Sequence, residues 1–338
     1  MNESGVFDME RLMTRVEQPM PYDDRIVESQ FRLLIQELKQ RLTRTILKAR
    51  RGVRHDAELR RFARYVLSTS SDCVTFNYDD FLDEALWLVR GSIDTLNEPY
   101  WHPDGGYGFF CRHAQSSIED MARVMDAPPM LLLKLHGSVN WRPRLGTGTP
   151  YRVEDVMHWE RWLPLGRERD RVTKGKRLGY DRPVRASIGR HLEPEALLVP
   201  PVLAKASLLQ EPILRLVWRR ARQVLTDATR VVFIGYSLPD TDIGSRFLFA
   251  ETLSGKPANA VTVISRERNS QARTRLMERY RQIVPELASN QFHWDGALSW
   301  IAKLPEVPMA PSAPDQTDAR KWHHAVIDGR RFPSLREA

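Results

Sequence analysis

Residues 73–89 read Cys73-Val-Thr-Phe76, then Asn77-Tyr-Asp-Asp80, then Phe81-Leu-Asp-Glu-Ala85-Leu-Trp-Leu-Val89. A short apolar run stopped by a polar turn, then apolar residues at helical spacing, opens an α/β unit. The same order recurs downstream. Met130-Leu-Leu-Leu-Lys-Leu135 ends in His136-Gly-Ser138, and Ala196-Leu-Leu-Val199 is stopped by Pro200-Pro201. Arg230-Val-Val-Phe-Ile234 runs into Gly235-Tyr-Ser-Leu-Pro-Asp240, and Ala260-Val-Thr-Val-Ile264 runs into Ser265. Helices are predicted over 81–89, 211–226, 243–253 and 269–283. Strands alternating with helices imply an α/β fold: a three-layer, Rossmann-like, mostly parallel sheet with helices on both faces. Ligands bind such sheets at the carboxyl ends of the strands. The polar groups there are Asn77, Asp79, His136, Ser138, Ser237, Asp240 and Ser265.

Outward from this core, 25–50 and 57–67 show apolar residues at helical spacing, and Ser68 to Asp72 breaks the second helix. Residues 1–25 are poorly periodic. Residues 91–129 read as loops with a small helix, where Tyr100, Trp101, Tyr107, Phe109 and Phe110 gather around Pro103 and Gly105-Gly106. Residues 142–192, rich in Arg, Gly and Pro, read as an insertion or cap. The expected organisation is an N-terminal helical segment (1–68), an α/β domain (69–304) and a Pro-rich C-terminal tail (305–338).

The 338 residues are 42% hydrophobic and include 9 Trp, 12 Phe and 9 Tyr, enough to bury a core and to exclude disorder throughout. No apolar run nears the roughly 20 residues a bilayer-spanning helix needs. The start shows no basic region followed by an apolar one, so a cytoplasmic location and no membrane partner are expected. Two cysteines form neither a disulfide framework nor a four-thiolate zinc site. Cys73, inside a strand, suits an apolar role better than a nucleophilic one. The net charge of +8 favours anionic partners, but charge alone is weak support for nucleic-acid binding. Neither G-x-G-x-x-G nor G-x-x-x-x-G-K-[ST] occurs.

Each strand end has an ordinary reading beside a functional one. Asn77-Tyr-Asp79 makes an Asx turn or helix cap as readily as a site. An imidazole at position 136 can titrate near neutral pH and act as a general base, though a lone histidine is more often structural. Gly137 would let a ligand approach the backbone. Gly235 and Ser237 would offer a backbone N–H and a hydroxyl to a phosphate. The alternative is a plain turn capped by Asp240 or Asp242.

Five motifs in order carry a resemblance: Val74-Thr-Phe-Asn-Tyr-Asp-Asp80, Lys134-Leu-His-Gly-Ser138 with Asn140-Trp141, Pro200-Pro201 with Lys205 and Trp218, Ile234-Gly-Tyr-Ser-Leu-Pro-Asp-Thr-Asp242, and Val263-Ile-Ser265. Over roughly residues 70–300 the chain resembles the bacterial sirtuin-like domain family, many members of which are NAD-consuming effectors in antiphage defence. The resemblance implies that Asn77 orients the scissile bond or a water beside the nicotinamide ribose. It implies that Asp79 positions the nicotinamide end or holds Asn77, and that His136 is the base near the ribose hydroxyls. The implied cofactor-binding positions are Thr75, Gly137, Ser138, Gly235, Tyr236, Ser237, Asp242 and Ser265, with NAD as substrate and no metal. Ser265 stands where the family often has Asn. A homo-oligomer or a defence partner protein is an implied assembly.

Two departures qualify what is implied. Protein-deacylating sirtuins use a four-cysteine zinc module that this chain does not encode, which points to NAD hydrolysis instead. The family also opens with a strand and a Gly-Ala-Gly-x-Ser phosphate loop, and none precedes Asn77. Phe7 to Met13 resembles the segment that follows that loop. The expected sheet therefore lacks its first strand and Gly-rich loop. The start then lies further upstream, or a partner completes the site, or the chain is a non-catalytic nucleotide- or partner-binding member.

Overall fold

The computed structural model describes residues 9–17, 20–50, 56–89, 101, 103–109, 130–143, 156–158, 196–199 and 211–307. These fall into two compact bodies: the residues up to Val217 together with Val307, and Trp218–Glu306.

The first body starts with three helices, α1 (Met9–Glu17), α2 (Arg25–Arg50) and α3 (Asp56–Ser68). Helix α1 lies where the sequence looked unpatterned. Met9, Leu12, Met13 and Val16 nonetheless recur at three and four, and Met13 and Val16 are buried. Arg15 forks onto Asp23 at 2.9 and 2.6 Å, and its guanidinium lies 4.7 Å from the Phe31 ring centroid, tying α1 to the start of α2.

Strand β1 (Cys73–Thr75), helix α4 (Phe81–Val89), the short α5 (Pro103–Gly106) and strand β2 (Leu132–Lys134) follow. β1 and β2 pair in parallel, with Thr75 opposite Lys134. α3 packs against α4. β3 (Trp141–Pro143) pairs antiparallel with β4 (Val156–His158), so the expected insertion contributes one strand. The rest of 142–192, most of 91–129 and the tail beyond residue 307 lie outside the described residues.

Residues 196–199 correct the sequence reading. They are not a strand of the parallel sheet but run antiparallel to 136–141. The ladder is Ser138 N–H to the Leu197 carbonyl, Leu197 N–H to that of Trp141, and Val199 N–H to that of His136, each 2.9 Å. Gly137 makes the crossing feasible. Its φ is +80°, and a Cβ there would lie 2.1 Å from the Leu197 carbonyl oxygen. Beside this crossing, Trp101, Tyr107, Phe109 and Trp141 form an edge-on aromatic cluster, all buried, with Tyr107 and Trp141 rings 5.1 Å apart.

Helix α6 (Pro212–Asp227) begins at a proline, which fits the first helical position, and buries Ile213, Leu214, Val217, Ala221 and Leu225. Within the second body the chain alternates strictly: β5 (Val231–Ile234), α7 (Ile243–Leu253), β6 (Val261–Ile264), α8 (Ser270–Arg281), β7 (Phe292–His293) and α9 (Gly296–Ala302). The three strands are parallel in the order β5-β6-β7. Phe233, Phe249, Tyr280 and Phe292 fill its core, with Phe233 4.9 Å from Phe249 and 5.0 Å from Tyr280. β7 and α9 were not read from the sequence. The strands expected in one sheet are found, among the described residues, in separate pairings. The chain is thus mixed α/β with small parallel sheets, compatible with the Rossmann-like class.

Two glycines separate crowding from backbone strain. Gly235 also has positive φ, +67°, but nothing lies within 4 Å of a Cβ there. In urea unfolding, Gly137→Ala is expected to cost about 3 kcal/mol, because strain and collision add, and Gly235→Ala only about 1 kcal/mol. Equal costs would remove the crossing of 196–199 over Gly137.

Candidate functional site

The parallel register that sets Thr75 opposite Lys134 sets Asn77 and His136, each two residues further on, at the same edge. The Asn77 backbone N–H donates to Thr75 Oγ1 at 3.1 Å, a tight local turn that leaves the Asn77 side chain exposed and without a hydrogen bond among the described residues. His136 is 8% exposed. Its ring lies 5.0 Å from that of Phe76 and 6.2 Å from that of Tyr78, the two residues flanking Asn77. Tyr78 donates its phenol to the Val199 carbonyl at 2.6 Å, and the Tyr78 carbonyl accepts from the Val139 amide at 2.9 Å.

Beneath this edge is a buried polar network that sequence reasoning missed. Lys134 and Asp83 are each 1% exposed and pair at 3.2 Å. Asp83 Oδ1 also accepts from the Tyr107 phenol and, at 3.3 Å, from Asn140 Nδ2. The Ser138 hydroxyl donates to Asn140 Oδ1. Lys134 Nζ donates a further hydrogen bond to the Asp79 backbone carbonyl. The ion pair is therefore not only internal: it holds the 77–80 turn from below. The signal was present in the sequence. Lys134 interrupts an apolar strand and Asp83 an apolar helix face, and a charge in such a place must find a partner.

Several expected ligand-facing positions are occupied otherwise. Ser138 is fully buried, with its hydroxyl spent in the network. Gly137 is needed for the approach of Leu197 rather than of a ligand. Asp79 Oδ1 accepts from the Phe81 amide at 3.2 Å, so its carboxylate caps α4. Thr75 Oγ1 closes the Asn77 turn. Among the described strand-end residues of this edge, Asn77 is exposed, whereas His136 is enclosed against Phe76 and Tyr78.

In the second body the turn after β5 is latched. The Gly235 amide already donates to the Ile264 carbonyl at 2.8 Å, so it is not the phosphate donor the sequence suggested. The Tyr236 phenol donates to Asp242 Oδ2 at 2.8 Å, and burial, then the Asp242 carboxylate, pushes that phenol well above its ordinary range. The Tyr236 carbonyl accepts from the buried Tyr280 phenol at 2.8 Å. Leu238, fully buried, is held at φ +48°, backbone strain tolerated at a tightly packed turn. Ser237 and Gly235 remain exposed. Ser265, partly exposed, ends β6, and its hydroxyl accepts from the Glu267 amide at 3.3 Å. Among the described residues no group of three His, Cys, Asp or Glu side chains fits a metal ion, and no helix is long and apolar enough to cross a membrane.

Removing one partner of the buried pair strands the other charge. Asp83→Leu or Lys134→Met alone is expected to cost about 3–5 kcal/mol in urea unfolding, whereas the double variant recovers most of the loss. Additive losses would show that the pair is not coupled. Cys73 allows a second check. Burial of its thiol, with Asp72 beside it, pushes the pKa from 9.0 up to about 12. The folded state favours the neutral thiol, so this group supports folding below pH 9 and the support fades as pH rises towards 12. At pH 8, alkylation of Cys73, followed on its own peptide, is expected to run at least ~100-fold slower in the folded chain than in urea. Comparable rates would contradict a thiol held neutral by its surroundings in the folded chain.

Compared with protein-family models, with curated proteins and with solved structures, the chain shows no match.

Proposed function

We propose that the chain is a sirtuin-like protein of the three-layer Rossmann-like class that binds NAD and hydrolyses its N-glycosidic bond, giving nicotinamide and ADP-ribose. Depletion of NAD in antiphage defence is the purpose this reading assigns. The observation that carries it is the placement of exposed Asn77 and ring-enclosed His136 at the same edge of two parallel strands. That is the edge where such sheets take ligands.

The chemistry suits these groups. Oxidised nicotinamide is a cationic leaving group and departs with the bonding pair as a neutral base. The ribose left behind is oxocarbenium-like and needs a fixed dipole and a nucleophile. The Asn77 carboxamide supplies the dipole and orients a water. His136 takes the proton that water loses as its oxygen bonds to the sugar carbon. Asp79 and Lys134 act through the turn that holds Asn77 and do not touch the substrate.

The enclosure of His136 favours a second reading, a nucleotide-binding member without turnover. One assay separates the two: nicotinamide release from NAD by the purified full chain, beside Asn77→Ala and His136→Ala. The glycohydrolase reading predicts release that each substitution lowers by about a hundredfold or more, with unfolding midpoints little changed. A folded chain that binds ADP-ribose and leaves NAD intact supports the second reading and overturns the first.

A further inference from the structure

At the carboxyl edge of the second body's sheet, β6 runs out into Ser265-Arg266-Glu267-Arg268-Asn269 and β7 into Trp294-Asp295. Both turns are firmly built. Asn269 Oδ1 accepts from the Ala272 amide at 3.1 Å and caps α8. The Gly296 amide donates to the Ser265 carbonyl at 2.9 Å and ties the two turns together. Their acids are committed. Glu267 Oε1 accepts from the amides of Arg268 at 3.1 Å and Asn269 at 3.4 Å, and the Asp295 carboxylate is taken by Lys303 at 2.6 Å. The cations are not. Arg266 and Arg268 are exposed, and among the described residues neither guanidinium makes a hydrogen bond or an ion pair. The Arg266 stem runs against Gly296, where a Cβ would lie 3.2 Å from its Cβ and Cγ.

A stack of planar groups stands at the same edge. The Phe292 and Trp294 rings lie 5.7 Å apart and within 12° of parallel. The Arg273 guanidinium lies 4.9 Å from the Trp294 ring centroid. Arg273 Nε donates to the Glu267 carbonyl at 2.8 Å, which fixes the guanidinium in place. Its two terminal nitrogens make no hydrogen bond among the described residues. Trp294 and Arg273 are both half-buried, so the stack reaches the surface.

Net charge alone is weak support for a nucleic-acid partner, because a scattered positive charge selects no ligand. Here the charge is gathered beside a planar surface. Guanidiniums hold phosphates by charge-assisted hydrogen bonds, and two exposed ones stand ready. An aromatic or arginine plane takes the face of an unpaired base. A duplex keeps its base faces inside the stack and has none to offer. We infer that this edge of the second body binds single-stranded nucleic acid, with Arg266 and Arg268 on phosphates and the Arg273–Trp294 pair as the stacking platform for a base. The inference concerns the second body alone and goes beyond the reading of the chain as an NAD glycohydrolase.

The test uses the full chain and fluorescein-labelled oligonucleotides of about 12 nucleotides, a length that suits a single stacking site. Anisotropy gives the affinity for a mixed-sequence single strand, as DNA and as RNA, for its abasic counterpart and for the duplex. Salt is varied from roughly 50 to 200 mM. The single strand, in one or both sugar forms, is expected to bind at least ~10-fold more tightly than the abasic strand and the duplex. Arg266→Ala with Arg268→Ala is expected to weaken it at least ~10-fold and to reduce the slope of log affinity against log salt by about 1.4. Arg273→Lys keeps the charge and is expected to bring the single strand and the abasic strand close to equal affinity. The control is Arg219→Ala with Arg230→Ala, which removes two exposed arginines of the same body from α6 and from the amino end of β5. It is expected to leave the preference for the single strand unchanged. No binding by the wild-type chain overturns the inference. So does equal binding of single strand, abasic strand and duplex, which would be the mark of charge alone, or a control variant that loses as much as the Arg266 and Arg268 pair. The comparison of strands is made on the wild-type chain, so it decides the matter even if a variant fails to fold.

Discussion

Lys134 sets a full charge within an apolar strand, at 1% exposure, and much of the first body follows from what that charge requires. An unpaired ammonium there would cost several kcal/mol, so Asp83 must come to it from α4. Asp83 in turn keeps oxygen lone pairs that need donors, and Tyr107 and Asn140 supply them. The network thereby fixes α4, Tyr107 just after α5 and Asn140 just before β3 around one carboxylate. Such a network is a poor source of net stability compared with apolar packing. Its effect is geometric: the third proton of Lys134 goes to the Asp79 carbonyl, which sets the height of the turn bearing Asn77.

The edge above this network is narrower than the strand pattern alone suggests. Residues 196–199 cross it antiparallel and take the His136 carbonyl and the Ser138 amide. That crossing encloses His136 against Phe76 and Tyr78 and turns Gly137 from a ligand-approach residue into a chain-crossing one. A histidine so enclosed has its ring orientation fixed in advance, which suits a positioned base and limits its access to water. The second body solves a similar problem with aromatic rings. Tyr280, buried, and Tyr236, half-buried, hold the turn after β5 by donating their phenols to a carbonyl and a carboxylate. The exposed donors of that turn are then few and fixed in place.

Local sequence determined the elements themselves. Apolar runs of strand length ending in polar turns placed β1, β2, β5 and β6, and helical spacing placed α2, α3, α4, α6, α7 and α8 to within a few residues. Alternation also gave the mixed α/β class, because β-α-β connections of this length favour parallel pairing. Asn77 was legible as a candidate since it closely follows a strand, and its side chain is exposed there. What only the tertiary structure decided is which polar groups remain available. Thr75, Asp79, Ser138 and the Gly235 amide look equally fit for a ligand in one dimension, yet each is consumed by a partner that chain order does not reveal. Leu197 meets Gly137 from some sixty residues away, and Lys134 meets Asp83 from 51 away. Such pairings depend on which charges must be neutralised and which carbonyls lie within reach, and that is settled only when distant segments pack.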